Sequence, residues 1–127
     1  QARGKDMLTT PYIFGEDDAV AMTEAGADIV VCHLGLTTGG SIGAETTLKL
    51  ADCPALVERW AEAALRVNKE VIVLVHGGPV SQPEDAAFVL ENTENCHGFY
   101  GASSMERLPT EVALTEQTRK FKQIGKR

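Results

Sequence analysis

Ile29-Val30-Val31-Cys32-His33-Leu34-Gly35 and Val71-Ile72-Val73-Leu74-Val75-His76-Gly77-Gly78 are the two stretches on which the fold turns. Each is an unbroken, mostly β-branched run that ends on a histidine, with glycine next after His76 and one residue further on after His33. A strand with one wet face alternates apolar and polar residues. A run without that alternation is covered on both faces and belongs in a parallel sheet. Working outward, the same succession occurs four times in the 127 residues: a short apolar run, a Gly-rich or polar turn, then an amphipathic helical stretch. The outer two apolar runs are Met7-Leu8-Thr9-Thr10, ended by Pro11, and Gly98-Phe99-Tyr100.

The helical stretches carry their own punctuation. Glu16, Asp17 and Asp18 put negative charge in a first turn, and Gly26 is the C-terminal stop. Asp52 is the expected cap of the second helix, with Pro54 in its first turn and an apolar stripe of Leu56, Val57, Trp60, Ala61, Ala64 and Leu65. Pro83-Glu84-Asp85 opens the third, expected to bury Ala86, Val89 and Leu90. Thr110 and Glu111 open the fourth, expected to bury Leu114, Phe121 and Ile124.

A helix between successive parallel strands makes right-handed βα units. No linker, low-complexity tract or charge block divides them, so residues 1–127 are expected to form a single domain. Four βα units fit an open doubly wound sheet, with helices on both faces. They also fit half of a (β/α)8 barrel, whose full form takes about 250 residues. Composition and periodicity leave both open; the turns decide. The expectation is an α/β fold, the C-terminal half, (βα)4, of a TIM barrel, within a fragment of a longer or processed chain.

Composition narrows the partners. Twelve Lys and Arg against eighteen Asp and Glu leave a net charge of -6, which disfavours nucleic acid. The basic residues gather only at Arg119-Lys120-Phe121-Lys122 and Lys126-Arg127, read as a solvated helix end. The three cysteines, Cys32, Cys53 and Cys96, have no zinc or disulfide spacing and indicate a reducing compartment. No apolar run approaches the roughly 20 residues of a membrane span, and the N-terminal residues do not resemble a signal peptide. A cytoplasmic protein is expected.

In parallel α/β folds ligands meet the loops that follow the strands. Three such loops are rich in glycine, hydroxyl or imidazole groups: His33 to Gly43, His76-Gly77-Gly78-Pro79, and Gly101 to Arg107. Glycine lets backbone N–H groups approach an anion, and serine hydroxyls add donors. Barrel loops after the last two strands often hold phosphate, so Gly77, Gly78, Gly101, Ser103 and Ser104 are candidates, with Arg107 as a forked partner for carboxylate or phosphate. Gly39, Gly40 and Ser41 lie in the long loop, whose glycines give it freedom to close over a site. The P-loop lysine, GxGxxG and the GxSxG elbow are absent. His33 and His76 stand where barrel enzymes mount acids, bases and metal ligands. His97, at a strand start, and Cys32, with nothing beside it to lower its pKa, read as structural.

Three segments carry a resemblance: Ala25 to Gly43; Val75-His76-Gly77-Gly78-Pro79 with Pro83-Glu84-Asp85; and His97 to Pro109. Together they resemble the phosphoenolpyruvate hydrolase-like TIM-barrel proteins, over about Leu8 to Ile124. That domain also forms the C-terminal part of plant proteins related to the tomato mosaic virus resistance protein. The resemblance implies a (β/α)8 fold of the phosphoenolpyruvate/pyruvate group, Mg²⁺ held by carboxylates near strand ends, and hydrolysis of phosphoenolpyruvate or phosphonopyruvate by the full-length protein. No Asp/Glu cluster stands at this chain's own strand ends, so such ligands either lie in a missing N-terminal half or do not exist.

The leading expectation is therefore an enzyme domain that binds a small phosphorylated or carboxylated 2-oxo acid and cleaves a C–P or P–O bond, with His33 or His76 as general base or partner of a metal-bound water. The competing one is a ligand-sensing or protein-interaction barrel without chemistry. Unpaired sheet edges also suggest a homo-oligomer, or a missing half-barrel as partner.

Overall fold

A computed structural model of the chain describes residues 1–36 and 48–123, with backbone only over 103–109. The elements are β1 (Tyr12–Ile13), α1 (Glu16–Glu24), β2 (Ile29–His33), α2 (Cys53–Val67), β3 (Ile72–His76), α3 (Pro83–Glu91), β4 (Gly98–Phe99) and α4 (Ser103–Lys122). Short 3₁₀ turns lie at Arg3–Lys5 and Leu50–Asp52. The strands form one parallel sheet in sequential order, β1-β2-β3-β4. Each connection therefore runs to the adjacent strand, with no reversal of strand order of the kind that marks a doubly wound sheet.

The pleat sorts the side chains. Residues alternate between faces along a strand, and parallel partners share a face. Ile13, Val30, Cys32, Val73, Val75 and the partly buried Phe99 turn to one side. There they meet Ala19 of α1, Val57, Ala61 and Ala64 of α2, and Ala86 and Val89 of α3 in one core. Small residues on the helices let them approach the sheet closely. Each fully buried valine contributes roughly 1.5–3 kcal/mol by leaving water.

Helix ends follow the local chemistry. After α1, Gly26 takes φ 87° and its N–H donates to the Thr23 carbonyl, while Ala27 N–H reaches the Met22 carbonyl. That is the expected glycine stop. Gln82 caps α3 reciprocally with Asp85. The Asp85 carboxylate also accepts from Ser81 N–H at 3.1 Å and Gln82 N–H at 2.9 Å, which gives the Pro83-Glu84-Asp85 motif a structural reason. Asp52 stands at the α2 cap position but makes no side-chain cap bond.

Three expectations are corrected. The first strand follows Pro11 instead of preceding it, and Met7 and Leu8 are exposed. Thr9 is instead tied to the Asp28 carboxylate through its N–H and hydroxyl, at 3.0 and 2.9 Å, and proline is tolerated where a strand begins. The fourth helix begins at Ser103, seven residues before Thr110. Its Leu114 and Phe121 are 64% and 65% exposed instead of buried; Ile124 lies outside the described residues. Helices α1 to α3 join the core on one face of the sheet, and β4 is the last strand among the described residues, so α4 has no further strand there to lie on.

Burial holds the Cys32 thiol up at about 12 and Cys53 at about 11. Both sit in the helix-side core. Iodoacetamide at pH 8 is expected to leave both unmodified in native protein and to label both in denaturant. Rapid native labelling of Cys32 would show that the core is open.

Candidate functional site

The opposite face of the sheet carries the site. The registers Tyr12↔Val31, His33↔His76 and Leu74↔Gly98, continued two residues, align Phe14, His33, His76 and Tyr100 as one row at the strands' carboxyl end. Ring contacts follow this row, with centroids 5.1 Å apart for Phe14–His33, 5.0 Å for His33–His76 and 6.0 Å for His76–Tyr100. Tyr12 sits one row below. It is stacked on His76 at 5.3 Å and edge-on to His33 at 4.8 Å.

The two imidazoles are held differently. Gly35 N–H donates to His33 Nδ1 at 3.1 Å, so that nitrogen carries no proton. His76 Nδ1 lies 2.6 Å from the Tyr100 carbonyl oxygen, which can only accept, so that nitrogen carries one. Burial first, and the neighbouring His76 second, hold the His33 pKa below its ordinary 6.5. A histidine with a depressed native pKa favours the folded state above its unfolded pKa, and that stability is lost as pH falls through the native value. Thermal stability is thus expected to fall as the solution is acidified below pH 6.5. The fall should be smaller in His33→Asn, which keeps an acceptor for Gly35 but cannot titrate. An equal fall in both proteins would place the acid sensitivity elsewhere.

The loops after β2 and β3 are clipped together. Leu34 N–H donates to the His76 carbonyl at 2.9 Å, and Gly78 N–H to the Gly35 carbonyl at 2.8 Å. Gly77 and Gly78 adopt φ 74° and 60°. A Cβ on Gly77 would strike the Gly35 carbonyl oxygen, and one on Gly78 the Leu34 carbonyl oxygen. Close backbone approach, expected toward a ligand, is realised here between two loops.

Of the residues singled out in the sequence, His33, His76, Gly77 and Gly78 come together. Gly101 is exposed, and one residue separates it from the start of α4. Ser103 and Ser104 form that helix's first turn and Arg107 its second, with side chains outside the described set; Gly39, Gly40 and Ser41 lie outside it entirely. His97 Nδ1 accepts from Val73 N–H at 3.0 Å, a structural role. The reading of the sequence missed Tyr12, Phe14 and Tyr100. Their place beside the histidines follows only from the register of β1 and β4 with the longer strands.

Mg²⁺ calls for several oxygen ligands. Among the described residues no three His, Cys, Asp or Glu side chains gather to hold a metal. Among the described residues the row offers imidazole and phenol groups and no carboxylate. These residues do not fit Mg²⁺. Among the described residues, no helix is long and apolar enough to cross a membrane.

Known proteins resemble the chain at two levels. ToMV susceptible protein tm-1(GCR26) of Solanum lycopersicum is 58% identical over 119 residues, 94% of this chain and 16% of that protein. The chain thus spans about one sixth of that relative's length. Among solved structures, FabK from Thermotoga maritima superposes with a TM-score of 0.52 at 19% identity, over 77% of this chain and 27% of that one. Nitroalkane oxidase from Streptomyces ansochromogenes gives 0.51 at 23% identity, over 81% and 29%. Both are TIM-barrel enzymes, and at such identities they speak to fold alone. The phosphoenolpyruvate hydrolase-like family model matches residues 1–124, and the chain belongs to that family.

Proposed function

We propose that the chain is the C-terminal half, (βα)4, of a TIM barrel, and that it binds a small phosphorylated or carboxylated 2-oxo acid at the row of His33 and His76 and hydrolyses a C–P or P–O bond. The observation that carries this reading is the pair itself: two imidazoles 5.0 Å apart at adjacent strand ends, where barrels of this kind keep their chemistry. Sequential strand order and helices α1 to α3 against one face support the half-barrel. Further βα units of the same protein would close it, giving α4 its seat; the much greater length of the tomato relative favours this over a second copy. Any Mg²⁺ of the kind the resemblance implies would need carboxylates from those units. Gly101, Ser103, Ser104 and Arg107, with the loop bearing Gly39, Gly40 and Ser41, would hold the anion. Three free thiols suit a reducing, cytoplasmic setting.

For phosphonopyruvate the proposed reaction is water attack on phosphorus with loss of the carbon as the enolate of pyruvate. One histidine accepts the water's proton. The test is phosphate release from phosphonopyruvate and from phosphoenolpyruvate by the full-length protein, with His33→Ala and His76→Ala alongside. Turnover lost in either variant supports the reading. Binding without turnover in the wild type would make the chain a ligand sensor, and absence of both would overturn the site.

A further inference from the structure

We infer that the two histidines hold fixed and opposite proton roles: His76 presents a bare Nε2 as the proton acceptor, and His33 presents an Nε2–H that donates to an oxygen gaining negative charge. The inference rests on the proposed 2-oxo acid site and assigns its parts.

The hydrogen bonds at the inner nitrogens decide it. A neutral imidazole carries one proton. Because Gly35 N–H occupies His33 Nδ1 at 3.1 Å, the His33 proton sits on Nε2. Because the Tyr100 carbonyl takes the His76 Nδ1–H at 2.6 Å, the His76 lone pair sits on Nε2. Charging the rings then has unequal consequences. Protonating His76 at Nε2 leaves its bond to the Tyr100 carbonyl intact. Protonating His33 must place a proton on Nδ1, which breaks the bond from Gly35 and sets two N–H groups face to face. Among the described residues, the groups facing these rings from the other strands are Tyr12, Phe14 and Tyr100. None is a carboxylate that would reward a charge on His33. A ring with its other nitrogen on a backbone carbonyl is also how proteins commonly orient a histidine whose free nitrogen does chemistry.

With phosphonopyruvate the balance closes. Water gives a proton to His76 Nε2, and its oxygen bonds to phosphorus. The C–P pair moves into the C2–C3 bond, and the carbonyl π pair moves onto oxygen. That enolate oxygen accepts a hydrogen bond from His33 Nε2–H, which keeps its proton. His76 returns its proton to C3, so that phosphate and pyruvate leave and both rings regain their starting tautomers.

Nitrogen-15 NMR of the imidazoles in the full-length protein at neutral pH tests the assignment without a variant. The expected result is the Nδ1–H tautomer at His76 and the Nε2–H tautomer at His33. Saturating pyruvate should move the His33 Nε2–H signal downfield with both tautomers unchanged. The same tautomer at both rings, a charged His33, or a His33 signal unmoved by pyruvate would overturn the proposal. If phosphonopyruvate is not hydrolysed while the tautomers and the pyruvate shift stand, the hydrolase reading fails and this one does not.

Discussion

Gly78→Val is expected to cost about 3 kcal/mol or more of stability and to leave the protein largely unfolded or insoluble at 37 °C. Two terms add. The residue sits at φ 60°, a region that costs an L side chain about 1–2 kcal/mol and a β-branched one more. Its first side-chain atom would also meet the Leu34 carbonyl oxygen, a backbone atom that cannot swing aside. Relieving that contact pulls the loops apart and breaks the 2.8 Å bond from Gly78 N–H to Gly35. Since Gly35 N–H also holds His33, even a folded fraction should show a disturbed His33. Denaturant unfolding measures the effect. A midpoint within the error of wild type would mean that the two loops are not clipped as described.

His76→Asn is expected to lower phosphonopyruvate turnover about 10²–10⁴-fold, the usual worth of a positioned general base, while pyruvate affinity stays within about threefold. Asparagine retains an N–H near the Nδ1 position to serve the Tyr100 carbonyl and lacks the Nε2 lone pair. The contact at 2.6 Å is therefore preserved in kind and the chemistry removed. Steady-state kinetics beside calorimetric pyruvate binding separate the two effects. Affinity and turnover falling together would assign His76 to ligand binding instead of proton transfer.

Much of this was legible in the sequence because the central strands announce themselves. Ile29 to Cys32 and Val71 to Val75 read as parallel strands and pair as such, although Ile72, on the face away from the helices, is exposed, and their helices carry Gly26 and Pro83 as boundary marks. The outer strands were less legible. With two residues each, β1 and β4 are too short to show a period, and their pairing comes from register with longer neighbours. That is why the run at Met7 to Thr10 misled. The fourth helix misled for another reason. Leu114 and Phe121 have helical apolar spacing, but burial needs a partner surface, and the described residues provide none for them.

At the site, the histidines stood out because ionisable groups are scarce at the ends of buried strands. The aromatic residues beside them did not, because Tyr12, Phe14 and Tyr100 look like ordinary core residues until register aligns them. Tautomers lie further still from sequence, since they depend on Gly35 N–H and the Tyr100 carbonyl, backbone groups that every residue supplies.

The proposed site has one ligand lying across both imidazoles at a common rim. It is tested most directly by titrating full-length protein with pyruvate while following the ring Cε1–H resonances of His33 and His76. Both resonances should shift together and give a single dissociation constant. Saturable pyruvate binding that moves neither ring would place the ligand elsewhere and contradict the account.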